Sequence, residues 1–95
     1  MDGVTIGRVA HYVLTESDAS RINEDRSAGI RKGNPVRGGE HVVMIMVKVF
    51  PNEFGEGVPG VNGQCLLDGN DSLWVTSVKF SPDAESGTWH WVEKA

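Results

Sequence analysis

The sequence of 95 residues has one cysteine, no long apolar run and no excess of basic charge. A lone thiol, Cys65, excludes an intrachain disulfide and favours a reducing compartment. The longest apolar run, Val42 to Val47, is far shorter than the roughly 20 residues of a membrane-spanning helix. The net charge of −4 argues against long nucleic acid, which binds basic surfaces. We therefore expect a soluble intracellular protein that binds neither membranes nor long nucleic acid.

The sequence also lacks the motifs of enzymes and metal sites. Its three histidines, His11, His41 and His90, have neither the i, i+4 histidine spacing nor the CxxC motif of a zinc site. We interpret each as a strand residue with a polar tip, and we expect no metal ion and no cofactor. A nucleophile elbow and a glycine-rich phosphate loop leading into a helix are also missing. The sequence therefore indicates a protein that is not an enzyme.

A β-hairpin is the strongest local signal in the chain. Two runs rich in β-branched and aromatic residues, Val61–Asp68 and Leu73–Phe80, flank the turn Asp68-Gly69-Asn70-Asp71. These turn residues tolerate positive φ and bond their own backbone. The turn resembles part of a calcium loop, which needs about twelve residues and a distal glutamate that the following residues do not supply. We therefore assign it to turn chemistry.

Three further strands and one helix complete the predicted fold. The strands cover Val4–Leu14, His41–Phe50 and Thr88–Val92. A helix over Glu16–Ser27 begins after Thr15, a good N-cap residue, and its acidic first turn suits the helix dipole. Its apolar stripe is thin, consisting of Ala19 and Ile22, so the helix must pack against the strands.

Alternation within the strands predicts which side chains are buried. In the second strand the β-branched row Val43, Ile45, Val47 and Val49 is expected to line the core, and the row with Met44 and Met46 to form a softer surface. In the hairpin, Cys65 shares a row with Val61 and Leu67 and is interpreted as a buried structural thiol. On the second hairpin strand, one face carries Trp74, Thr76, Val78 and Phe80. We expect Trp74 to pack in the core. The alternative is a wall for stacking a ligand, formed by Tyr12, Trp74, Trp89 and Trp91.

Five short strands with a helix between the first two predict one mainly β domain over residues 1–95. A small SH3-like antiparallel barrel accommodates a long decorated loop at that position. An OB-like barrel is the alternative. That fold usually places its helix between strands three and four, where this chain has only about Asp68 to Ser72.

A set of polar side chains outside the predicted core is the candidate ligand site. Asn23 and Arg26 are i, i+3 neighbours on the helix, and Asn62 and Gln64 face away from the Cys65 row. If the helix folds across that region, amide and guanidinium groups converge on a pocket suited to a small anion or a nucleotide. The alternative is that these are solvated surface groups. The full set comprises Asn23, Arg26, Asn34, Arg37, Asn62 and Gln64.

Several stretches resemble small uncharacterised proteins encoded by bacteriophages and prophages. The most distinctive are Leu67–Asp71 followed by Leu73–Val78, and the ending Gly87–Trp91. The other matching stretches are Asp18-Ala19, Ile22-Asn23, Arg26, Gly33–Val36 and Val61–Gln64. Relatives usually have proline where this chain has Val92. The resemblance supplies no site residues, and it implies a phage-type protein that acts in the cytoplasm of a bacterial host or in the virion.

We therefore expect a non-enzymatic binding module that recognises a host protein or a small anionic ligand in the infected cell. The alternative is a virion structural component, such as a capsid decoration or connector protein. Such a component would dock on other virion subunits or form a homo-oligomer.

Overall fold

The computed structural model, which describes residues 1–93, contains one five-stranded antiparallel sheet and one helix. The sheet order is β4-β3-β2-β1-β5, so that β1 lies between β2 and β5. The elements are β1 (Val9–Val13), α1 (Glu16–Ser27), β2 (His41–Phe50), β3 (Gly60–Leu66), β4 (Ser72–Lys79) and β5 (Trp89–Trp91). The predicted mainly β fold with a helix between the first two strands is confirmed.

The sheet curls without closing. Strands β4 and β5 are its two edges, and an isolated parallel bridge pairs Phe80, just after β4, with Trp89 of β5. The backbone N–H of Ser81 also donates to the Trp89 carbonyl at 2.9 Å. Across residues 1–93 these contacts bring the two edges together at one corner, and the strands do not form a continuous barrel.

Helix α1 has the bounds that the sequence predicts, and its N-terminus is closed by a capping box. The Thr15 hydroxyl accepts from the Asp18 backbone N–H, and the Asp18 carboxylate accepts from the Thr15 N–H. Tyr12 of β1 donates to the same carboxylate at 2.7 Å, which ties the helix start to the sheet. Ala19 and Ile22 are buried as expected. Within the described part of the chain no helix is long and apolar enough to cross a membrane.

The first and last strands are shorter than predicted, whereas β2 has the predicted bounds. Residues Val4 to Arg8 lie outside β1, and Gly7 adopts a φ of +91° there. Its backbone N–H donates to the Met46 carbonyl at 2.8 Å. A turn therefore replaces the first part of the expected strand, and the chain still stays attached to β2.

The prediction of which row of β2 lines the core is wrong. Met44 is fully buried, whereas Val43 is 38% exposed and Val47 is also exposed. Met44 pairs with Ala10 of β1 and with Cys65 of β3, and all three face the side of the sheet that the helix covers. Both rows of β2 are apolar, and a period of two does not distinguish the inner face when neither row is polar.

The predicted burial of Trp74 is also wrong, because a β-bulge reverses the alternation within β4. Thr76 and Ser77 together oppose Asn62 of β3, and Ser77 has a φ of +51°. A bulge inserts one residue, so the rows on its two sides no longer correspond. Val78 is therefore buried and Trp74 is 61% exposed, although the two were expected to share a face.

The core lies between the inner face of the sheet and α1. Trp89 of β5 is its largest fully buried side chain, and the Phe80 ring packs edge-on against it with 4.9 Å between centroids. Cys65 is fully buried in a row with Val61 and Leu67, which confirms that prediction. We call the opposite side of the sheet, which carries Val43 and Trp74, the outer face.

Candidate functional site

Three of the six predicted ligand-binding residues lie where α1 and the following loop meet the β3–β4 turn. The Asn23 side chain pairs with the Val36 backbone in both directions, at 2.8 and 2.9 Å. Arg26 reaches the Asp71 carboxylate at 3.0 Å, and Asn34 donates to Asp68 at 2.7 Å. These polar groups have partners within the protein and fasten the helix and loop to the hairpin.

The ion pair at this junction is buried. The side chains of Arg26 and Asp71 are only 7% and 10% exposed, and both terminal nitrogens of Arg26 face the carboxylate. Arg31 approaches the same carboxylate at 3.3 Å and also pairs with Asp25. Asp71 therefore neutralises the positive charge that the sequence offers to an anionic ligand at Arg26.

The structure does not bring the other three predicted residues to that junction. The Asn62 side chain accepts from the Ser77 backbone N–H at 2.8 Å and so supports the bulge in β4. Gln64 lies on the outer face between Ile45 and Trp74, and Arg37 is an exposed loop residue. The six side chains thus do not converge on one pocket, and their binding of a ligand stays a prediction.

Four apolar side chains are exposed together on the outer face, and we call them the apolar strip. Cross-strand pairing aligns Val9, Ile45, Gln64 and Trp74 in one row across four strands. Val43 and Leu66 pair in the adjacent row, and Leu66 is 52% exposed. The strip comprises Val9, Val43, Leu66 and Trp74.

A groove of about 400 Å³ runs beside the apolar strip. Val43, Leu66, Pro35 and Val36 contribute apolar groups to its lining. Asn34, Glu40 and Asp68 contribute polar groups. His41 also lines the groove. The strip therefore borders a groove, and a partner that contacts the strip can also insert a group into this groove.

The three histidines meet at one end of the outer face, around a glutamate that follows β5. His11 and His90 are direct cross-strand partners, and His41 pairs with Val13, two residues along β1 from His11. One ligand atom from each of His11, His41, His90 and Glu93 lies within 4.8 Å of all the others. We call these four side chains the histidine cluster.

One carboxylate oxygen holds the histidine cluster together. Glu93 Oε1 lies 2.5 Å from His90 Nε2, 2.5 Å from His41 Nδ1 and 3.3 Å from His11 Nδ1. The hydrogen bond with His90, followed by those with His41 and His11, lowers the pKa of Glu93 to about 2. The carboxylate is therefore ionised at neutral pH, and each imidazole turns one nitrogen toward a single point.

His90 is the best-anchored member of the cluster. Its side chain is only 8% exposed, and its Nδ1 is buried without a hydrogen-bond partner among the described residues. His11 and His41 are more accessible, so the cluster opens to solvent on their side. This arrangement offers a fixed inner ligand and two adjustable outer ones.

Local sequence motifs do not reveal this cluster, because its ligands lie on different elements. His11, His41 and His90 are about 30 and 50 residues apart along the chain and lie on three different strands. A signal was present in the predicted topology. If β1 lies between β2 and the last strand, then outward-facing histidines on all three strands become neighbours. Each histidine lies on a strand, as predicted, but that interpretation did not include the contact among the three side chains.

No protein-family model matches this sequence, and searches of curated proteins and of solved structures found no match.

Proposed function

We propose that this protein is a non-enzymatic binding module that docks a protein partner on its outer face. The observation that carries the proposal is the 61% exposure of Trp74 beside Leu66, which is 52% exposed. Trp is the residue type most enriched among the side chains that dominate binding energy. Adjacent exposed apolar groups on a small domain commonly mark an interaction site.

The sheet provides a rigid platform for this role. Trp74 and Val9 lie in one row across four hydrogen-bonded strands, so their spacing is set by backbone pairing. A rigid platform costs little conformational entropy on binding, since its backbone is already ordered. The groove beside Val43 and Leu66 provides a place for a protruding side chain of the partner. The partner surface that fits is apolar at its centre.

An SH3-like arrangement is part of the proposal. In support, β1 lies between β2 and the last strand, strands β2 to β4 follow as a meander, and the Phe80–Trp89 bridge joins the two edges. The resemblance to phage-encoded proteins supplies the proposed setting, an infected bacterial cell with a host protein as partner. Docking on virion subunits or on a second copy of this chain uses the same apolar strip, and the experiment below separates these cases.

The test uses Trp74→Ser and the double variant Trp74→Ser/Leu66→Ser. Because Trp74 is mostly exposed, we expect the free energy of unfolding of the single variant, measured in urea, to lie within about 1 kcal/mol of the wild-type value. Analytical sedimentation of the wild type measures self-association. Immobilised protein incubated with a bacterial lysate detects capture of a partner. Arg21→Ser is the matched control, since Arg21 is exposed on the helix, away from the strip.

The outcomes are distinct. A partner retained by wild type and Arg21→Ser but lost by both strip variants supports the proposal. A wild-type oligomer that dissociates in the strip variants indicates self-association through the strip, which is one form of the virion-component alternative. A wild-type monomer whose captured proteins are unchanged by the strip variants contradicts docking on this face. A loss of more than about 2 kcal/mol in the free energy of unfolding of Trp74→Ser would show that the Trp74 ring stabilises the fold.

A further inference from the structure

We infer that the histidine cluster is a binding site for a divalent transition metal ion of the zinc class. The cluster supplies three imidazole nitrogens and one carboxylate oxygen, all within 4.8 Å of one another. Imidazole is the preferred protein ligand for zinc, copper and nickel, and carboxylate commonly completes such sets. The inference does not rest on the proposed docking function.

The geometry requires little rearrangement to hold an ion. In a tetrahedral zinc site with bonds of about 2.0–2.1 Å, neighbouring ligand atoms lie about 3.3–3.4 Å apart. The widest separation in the cluster is 4.8 Å, so that pair must close by about 1.4 Å, and Glu93 Oε1 must move about 0.8 Å away from the two imidazole nitrogens that lie 2.5 Å from it. Glu93 lies two residues beyond the end of β5, and the His41 side chain is accessible to solvent. The outer ligands therefore have room to move, while the buried His90 stays fixed.

The protonation chemistry also suits a cation. For Glu93 Oε1 to accept from all three rings, each facing nitrogen must carry a proton, which neutral tautomers permit. An entering ion displaces the proton from each facing nitrogen, and that proton moves to the other nitrogen of the same ring, so each metal-bound ring stays neutral. The Glu93 carboxylate stays negative and becomes a ligand itself. Three neutral imidazoles and one carboxylate leave a bound divalent ion with a net charge of +1.

Four protein ligands make this a closed site. Closed four-ligand zinc sites stabilise structure, whereas catalytic zinc keeps one position for water or substrate. The ion would connect β1, β2, β5 and the segment that contains Glu93. The proposed role is therefore to fix the segment after β5 against the two neighbouring strands.

The test uses untagged protein that has been freed of metal with a chelator, then titrated with Zn²⁺ by calorimetry and with Co²⁺ by absorption spectroscopy. We expect one ion per chain and the intense visible bands of four-coordinate Co²⁺. All three histidines of the chain belong to the cluster, so nitrogen NMR of the imidazoles reports the ligands directly. The Nδ1 of His41 and the Nε2 of His90 should change from protonated to metal-bound.

The informative variants are His41→Ala and Glu93→Gln, because both side chains are partly exposed and neither contributes to the core. Each should weaken binding by roughly tenfold or more, since loss of an outer-shell partner alone costs 10–100-fold. Zinc should raise the thermal midpoint of wild type more than that of either variant. Glu56→Gln, in an exposed loop, is the matched control and should bind like wild type.

Two results would overturn the inference. One is the absence of Zn²⁺ and Co²⁺ binding by wild type at 100 μM of each ion. The other is binding that His41→Ala and Glu93→Gln leave unchanged, which would assign the ion to other residues. If His41→Ala weakens ion binding and Glu93→Gln leaves it unaltered, then Glu93 is not a ligand. That result would overturn the four-ligand set and its proposed role in fixing the segment that contains Glu93.

Discussion

Replacing Asp71 with asparagine should destabilise the protein more than any conservative change at its surface. Asp71 neutralises Arg26 at a site where the two side chains are 10% and 7% exposed. The Arg26 Nε is already buried without a partner among the described residues. Asparagine keeps the size of the side chain and removes its charge, so a buried guanidinium loses its counter-ion. Removing one partner of a buried pair typically costs about 3–5 kcal/mol.

The expected shift is large enough to measure in urea with tryptophan fluorescence. For a protein of this size, a dependence of about 1.5 kcal/mol per molar urea converts a loss of about 4 kcal/mol into a midpoint shift of about 2.7 M. Asp25→Asn is the matched control. Asp25 pairs with Arg31 in the same region, but its side chain is 29% exposed, and such pairs contribute about 0–1 kcal/mol.

A double variant without either charge tests the ion pair further. Arg26→Met combined with Asp71→Leu removes both charges and keeps apolar volume, and such replacements of buried pairs are often neutral or stabilising. The double variant should therefore be more stable than Asp71→Asn. If Asp71→Asn shifts the midpoint no more than Asp25→Asn does, then water reaches Arg26, and the proposed anchoring of α1 to the hairpin is wrong.

Two further predictions concern buried and crowded positions. Burial, with a second contribution from the Asp18 carboxylate, raises the pKa of the Cys65 thiol from 9.0 to about 12. We therefore expect iodoacetamide at pH 8.5 to modify Cys65 only in urea, and equal rates in buffer and urea would contradict its burial. Between pH 9 and about 12 the unfolded thiol ionises first, so stability should fall with rising pH, and less so in Cys65→Ala. A Cβ on Gly33, whose φ is +155°, would overlap the Asp68 carbonyl oxygen and lie 2.6 Å from the Gly69 Cα. Gly33→Ala should cost at least about 2 kcal/mol in urea unfolding, whereas Gly39→Ala, with open space at a φ of +90°, should cost less, and equal losses would show that backbone strain alone decides the effect.

Local chemistry made several elements predictable from the sequence. Thr15 and the acidic residues after it define the start of α1, because a capping box requires those residue types at that spacing. The turn after β3 is similarly encoded by Asp68-Gly69-Asn70-Asp71, and the interpretation of Cys65 as a buried thiol is correct. In each case a few adjacent residues determine the outcome, so the rest of the chain has little influence.

The errors have a different physical origin, since they concern which side of the sheet is covered. Strand β2 is apolar on both rows, and only the position of α1 decides that Met44 is inside and Val43 outside. The bulge at Ser77 reverses the alternation in β4, and no glycine or proline within that strand indicates its position. Trp74 was therefore assigned to the core on a pattern that the bulge interrupts.

The sequence likewise does not show which groups the predicted polar residues contact. Asn23, Arg26 and Asn34 were recognised as non-core polar residues, but their partners, such as Asp71 and the Val36 backbone, come from distant segments. The histidines show the converse case, since side chains that look isolated in the sequence become neighbours through the sheet order. Side-chain type alone predicts what a group can bind, and topology decides which group it meets.

The histidine cluster and the apolar strip are adjacent, and this has a thermodynamic consequence for both proposals. His11 of the cluster is the direct cross-strand partner of Val43 of the strip, and His41 lines the same groove as Val43 and Leu66. A standard protein interface covers about 800 Å² on each partner, more than four side chains provide. A partner centred on Leu66 would therefore extend to the rim of the cluster. Binding of an ion that reorients His41 would then change the affinity for the partner, and the partner would change the affinity for the ion by the same factor.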